Sequence, residues 1–200
     1  HGEQSLNGTS ATIPFGNTRI QKGGTYNSLF DILIAPAQTT ANSAEGVDDS
    51  GERIRFNMQR LTSILDFDLT NSTSDPIRCV LLTAESDDFL SAKSLNFDLA
   101  QGEAAAPALD TEERSKSILI NFDGGSASAA AQLDAFFNVL PGNYNLNLDI
   151  ITATKQMASV KIDRTDKPFE AGVLYKKEVG TLTPSAIPAP SLDWPDQDID

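Results

Sequence analysis

After Pro141-Gly142 the chain runs Tyr144, Leu146, Leu148, Ile150, with Asn145, Asn147 and Asp149 between them. A period of two gives a strand one apolar and one polar face, and it would scatter the same residues around a helix. The pattern recurs along the chain. Leu95, Phe97 and Leu99 alternate with Asn96 and Asp98; Ile118, Ile120 and Phe122 with Leu119 and Asn121; Leu133, Ala135, Phe137 and Val139 form another set. Ile54, Phe56 and Met58 occupy even positions, but Leu61, Leu65, Phe67 and Leu69 occupy odd ones. That change of parity predicts a bulge or break near Gln59–Ser63 and places Asp66 and Asp68 on a solvent face. Asn71 to Pro76 reads as a turn, and Ile77 to Thr83 as a short buried strand holding Cys79 as a small hydrophobe. Met157–Ile162 and Val173–Val179 complete roughly nine or ten strands. The Pro141-Gly142 turn between two alternating runs predicts a β-hairpin. Only Glu103–Ala106 and Ala127–Ala131 offer a turn or two of helix, without a sustained 3.6-residue period. The expected fold is all-β, an antiparallel β-sandwich with little helix.

Composition then narrows function. The 200 residues hold one Cys (Cys79), one His (His1) and one Trp (Trp194). One cysteine rules out an internal disulfide, and zinc sites of Cys and His cannot be assembled. A Ser–His–Asp triad would need the first residue as its base. With 15 basic against 28 acidic residues the formal charge is −13, which argues against nucleic acid and anionic membranes. Catalysis, cofactors and metals are not expected. Asp196, Asp198 and Asp200 alternate in the tail, a spacing at which carboxylates could hold calcium, but without the glycine and closing Glu of an EF-hand loop they read as solvated acid, and Asp48, Asp49 and Glu52 upstream read as a solvated loop. Asp66, Asp68, Asp149 and Asp163 are the strand-borne carboxylates that a glycosidase pair would draw on, each at a polar position. Tyr144 and Tyr175 fall in register with apolar neighbours and read as core; Tyr26 and Trp194 are the other rings that a sugar platform would need.

Residues 1–182 form the expected sandwich, with a possible lobe boundary in 100–116 and a long acidic loop over Ala37–Glu52. Residues 183–200 form an extended acidic tail with Pro184, Pro188, Pro190 and Pro195. A bulky ring in such a tail needs a partner, so Trp194 is the candidate contact residue, docked on its own domain or on another chain. The chain starts at His1 with no leader and no apolar run long enough to span a bilayer, so the expectation is a trimmed product of an exported precursor.

From Arg53 to Asn71 the sequence resembles the fimbrillin-like proteins of Bacteroidetes, subunits of surface pili. Val139-Leu140-Pro141-Gly142-Asn143-Tyr144 and the run Phe169-Glu170-Ala171-Gly172-Val173-Leu174-Tyr175 are similar to that family's turn and closing strand. The resemblance spans roughly residues 53 to 179. It implies a transthyretin-like sandwich, a lipoprotein precursor whose anchor segment is absent here, display at the outer membrane, and assembly by strand donation. It carries over no catalytic residue. Partners would be other pilus subunits, a surface protein or a glycan, and a glycan-binding module is the alternative reading. The tail from Thr183, Gly172–Leu182 and Gln4–Phe15 compete as the donated segment.

Overall fold

The computed structural model describes residues 5–7, 10–35, 58–85, 89–98, 108–109, 114–122, 132–164 and 166–187. They form an all-β sandwich whose strands are numbered in chain order. From one edge to the other, the larger sheet contains β17 (Ser185–Ala186), β15 (Gln156–Ile162), β14 (Leu146–Thr152), β7 (Ile77–Ala84), β12 (Ser117–Phe122) and β3 (Thr18–Gln21). The smaller sheet contains β13 (Gln132–Val139), β6 (Ser63–Asn71) and β16 (Leu174–Leu182). A four-stranded sheet of β1 (Ser5–Asn7), β2 (Ser10–Pro14), β9 (Ser94–Asp98) and β10 (Ala108–Leu109) lies beside them. Two short ribbons pair β4 (Leu33–Ile34) with β5 (Gln59–Arg60), and β8 (Ser91–Ala92) with β11 (Arg114–Ser115). Pairing is antiparallel except for β3 on β12 and β16 on β6.

The alternating runs are why these strands face each other. Leu65, Phe67 and Leu69 of β6 and Leu133, Ala135 and Phe137 of β13 meet Val80, Leu82, Ile118, Ile120, Leu146, Leu148 and Ile150 of the larger sheet in one core. Each of the Val, Leu, Ile and Phe side chains, fully buried, contributes about 1.5–3 kcal/mol. A second cluster, with Phe15, Ile32, Ile34, Leu61, Leu95 and Leu140, packs at the end where β6 starts and β13 stops. The expected break in the first long run is real, since β5 ends at Arg60 and β6 begins at Ser63. The expected strand over Ile54–Met58, both Ala-rich segments and the loop 37–52 lie outside the described residues, save Met58, which is exposed.

One expectation is overturned. Pro141-Gly142 does not close a hairpin, because β13 belongs to the smaller sheet and β14 to the larger. Alternation fixes which face of each run is buried, but both faces here are buried against one another across the core. The chain therefore crosses from sheet to sheet. Tyr144 holds the crossing: its hydroxyl donates to Leu140 O at 3.0 Å, with Phe89 O at 3.1 Å and Pro141 O at 3.2 Å also in reach. A tyrosine bonded to backbone a few residues upstream is a recurrent corner device of Greek-key sandwiches. Gly142 allows it, since a Cβ there would stand 2.5 Å from the Tyr144 hydroxyl and 2.6 Å from its Cζ.

Two substitutions test this corner by urea unfolding. Tyr144→Phe removes only the hydroxyl and is expected to cost about 1–2 kcal/mol. Gly142→Ala drives a methyl into a buried ring and is expected to cost about 1–3 kcal/mol. A native midpoint in both variants would mean that the crossing is held elsewhere.

Candidate functional site

A sandwich has two long seams where the edges of its sheets approach, and here they differ. On one side β3 of the larger sheet and β13 of the smaller are stitched by side chains. Gln21 mimics a strand: its Oε1 accepts from Phe136 N–H at 2.9 Å, and its Nε2 donates to Asp134 O at 2.6 Å and Gly23 O at 2.7 Å. Arg19 donates from Nη1 to Asn138 O at 2.7 Å and from Nε to Gly16 O at 3.1 Å. Its guanidinium lies 4.8 Å from the centre of the Phe15 ring and 4.4 Å from that of Phe30. Burial pulls the Arg19 pKa down to about 9, which leaves it charged at neutral pH. Tyr26 covers the outside, its ring edge-on to Phe136 at 5.5 Å and its hydroxyl accepting from Asn138 Nδ2 at 2.9 Å. Beside it, Arg60 grips both oxygens of Asp31 at 2.6 and 2.9 Å. Three backbone groups of the β13 edge, the Phe136 N–H and the Asp134 and Asn138 carbonyls, are thus taken up internally.

Among the described residues the opposite seam is open. Ala158, Val160 and Ile162 stand opposite the buried Ile150, Leu148 and Leu146, so they face the core, yet all three are only half-buried. Across the gap Tyr175 and Val179 of β16 pack against the same core and are also half-buried. Among the described residues β17 pairs only with Gln156 and Met157 of β15, and β16 has a partner on one side alone. Two strand edges and the apolar side chains between them therefore face outward together. One end is closed by the turn 163–173. There Phe169 is buried, Tyr175 meets it edge-on at 4.9 Å, and the Arg164 guanidinium lies 4.3 Å and 4.7 Å from the two ring centres. Gly172, at φ 78°, makes the left-handed bend into β16. This is the run that resembled a closing strand, and its aromatic spacing is what brings Phe169 and Tyr175 into contact.

No protein-family model matches the chain, and no curated relative matches it. Among solved structures it is similar to a candidate cell adhesion protein from Bacteroides uniformis ATCC 8492. The TM-score is 0.52 at 15% identity, over 90% of this chain and 66% of that one. A candidate cell adhesion protein from Bacteroides ovatus ATCC 8483 follows at a TM-score of 0.42 and 16% identity, over 92% of this chain and 68% of that one. The chain therefore spans just under two thirds of the first neighbour's length. At this identity the likeness shows the fold.

The residues singled out in the sequence are not drawn together. Trp194 lies outside the described residues, as do Asp196, Asp198, Asp200, Asp48, Asp49 and Glu52. Asp149 sits on the outer face of the larger sheet, accepting from Asn147 Nδ2 at 2.9 Å and Ser159 Oγ at 2.5 Å. Asp66 sits on the outer face of the smaller sheet, so no glycosidase-like pair forms between them. Among the described residues no group of three or more His, Cys, Asp or Glu side chains could hold a metal ion, and no helix is long and apolar enough to cross a membrane. Cys79 is half-buried on the outer face of its sheet, not in the core as expected, with its thiol pKa raised chiefly by burial.

Asp66 corrects a third expectation. It faces away from the core but is only 6% exposed, because on the central strand of a three-stranded sheet it lies beneath the neighbouring Phe136 and Lys176. Lys176 Nζ reaches it at 3.5 Å and Asp134 at 3.8 Å. Burial, and then the Asp134 charge, push the Asp66 pKa above its ordinary 3.8, with Lys176 opposing.

The residue that alternation should have flagged is Lys177. It pairs with the inward-facing Phe67, between Tyr175 and Val179, so it occupies a core-facing position, yet it is exposed. A charge at the apolar parity of a strand was the available signal.

Two measurements probe these contacts. Gln21→Ala is expected to lower stability by about 2 kcal/mol and to accelerate hydrogen exchange of the Phe136 amide; unchanged exchange would show that the seam does not depend on this side chain. For Asp66, a folded-state pKa above the unfolded one contributes stability that is present below the unfolded value, about 3.8, and lost as pH rises through the folded value. Unfolding at a series of pH values should therefore show Asp66→Asn gaining on the native protein across that window. A pH-independent difference would contradict the assignment.

Proposed function

We propose that the chain is a non-enzymatic structural or adhesive subunit of the cell surface, of fimbrillin-like type, that works through protein contacts at its open flank. The single observation that carries this reading is that, among the described residues, β16 has no partner on its outer side and β15 is paired there only at Gln156 and Met157, with core-facing side chains between them left half-buried. An added strand would supply backbone partners to both edges and cover Val160, Ile162, Tyr175 and Val179 in one step. The similarity in fold to a candidate cell adhesion protein agrees with this role, and so does the resemblance of residues 53–179 to pilus subunits. In this reading the precursor is exported and lipid-anchored at the outer membrane, and Trp194 in the tail is a contact with the neighbouring subunit.

Hydrogen exchange before and after assembly of the full chain tests it. The amides of 158–162 and 174–182 should gain protection, while those of β3 and β13, already stitched together, stay as they were. The same experiment on a chain lacking Thr183–Asp200 shows whether the tail is the donated strand. Protection confined to other surfaces, or no assembly under any condition, would refute strand addition at this flank.

A further inference from the structure

We propose that Lys177 makes the open flank selective for an extended segment that carries a carboxylate between apolar side chains at alternate positions. The inference rests on the strand-addition reading and names the chemistry of the strand that fits. Register sets Lys177 opposite Phe67 on the core side of β16, with the half-buried Tyr175 on one side and Val179 on the other. Its neighbour Lys176 points the other way and is engaged by Asp66 and Asp134. Lys161 on β15 is paired with Glu85 at 2.9 Å, and Arg164 is stacked on Phe169 and Tyr175. Lys177 makes no ion pair among the described residues, although the chain carries 28 acidic side chains against 15 basic ones.

A strand added between β15 and β16 would turn alternate side chains toward the core. Opposite Val160, Ile162, Tyr175 and Val179 it needs apolar groups. Opposite Lys177 an apolar group would strip water from an ammonium without replacing it, and a cation would add repulsion. A carboxylate satisfies the ammonium where added strand and neighbouring side chains screen it from solvent. An inward lysine on an edge strand also discourages unselective pairing. Discouragement alone would weaken every added strand alike, whereas an ammonium that finds a carboxylate favours one chemistry.

The test is calorimetric binding of capped nonapeptides that alternate valine and threonine, with aspartate, asparagine or lysine at the central valine position. The proteins are the full native chain, Lys177→Met and Lys177→Glu, all of which should melt alike because the side chain is exposed. The native protein is expected to prefer the aspartate peptide over the asparagine peptide by about five- to tenfold, and to bind the lysine peptide weakest. Lys177→Met should bind all three with the preference erased, and Lys177→Glu should favour the lysine peptide. Equal binding of the three peptides by the native protein overturns selection while leaving strand addition intact. Absence of binding by every protein, Lys177→Met included, overturns both.

Discussion

Three strands cannot cover six. At about 4.8 Å between neighbours, the inner face of the larger sheet extends well past β13 on one side and β16 on the other, and everything distinctive about the molecule follows from how the surplus is handled. On the β3 side the gap is filled by Arg19 and Gln21 reaching over to the backbone of β13. On the β15 side nothing among the described residues fills it, and side chains that share the core's parity stay half-wet. Among the described residues β3 has polar side chains, Arg19 and Gln21, at its inward positions and β15 has apolar ones, and only the edges β3 and β13 are bridged.

The bridged seam is costly to build, which argues that it is meant to stay shut. Burying a guanidinium without a carboxylate partner forfeits hydration that two hydrogen bonds only partly restore. Two aromatic faces, Phe15 and Phe30, supply part of the remainder. Gln21 presents one acceptor and one donor to the Phe136 amide and the Asp134 carbonyl, the same pair that a strand would present. A second chain approaching β13 would have to displace these groups, and one approaching β16 would not. Of the two edges, β13 is the one whose outward groups are engaged from within the domain.

How much of this could be read beforehand depends on the range of the interaction. Alternation is local, so the strands over 94–98, 117–122, 132–139, 146–152 and 156–162 were legible, as was the break before Ser63. Sheet membership is not local. Nothing in 132–152 distinguishes a hairpin from a crossing, since either buries the same residues; the hydroxyl of Tyr144 at its corner decides it. Arg19 and Gln21 look like surface residues until β3 is placed beside β12 and its other edge faces β13. Asp66 obeyed its parity and was buried all the same, because polarity predicts which way a side chain points and not what leans over it. Of the tail only residues 183–187 are described, and Trp194 lies outside them. The open flank had one local sign, Lys177 at an apolar position, and its meaning needed the partner strand.

Lys176 and Lys177 show how one strand can divide its charges. Adjacent residues on β16 point to opposite faces, so one lysine leans over the outer face and meets Asp66 and Asp134, while the other stands on the core side opposite Phe67 and is exposed. The outer lysine helps to tie an edge strand, held on one side only, to β6 and β13. The inner one does no such work. Replaced by valine it would complete the row Tyr175–Val179 and leave an uninterrupted apolar edge, the kind of surface that pairs with any exposed strand. In a molecule with a formal charge of −13, copies repel one another at long range. Lys177, which makes no ion pair among the described residues, sets a positive charge into that otherwise apolar row.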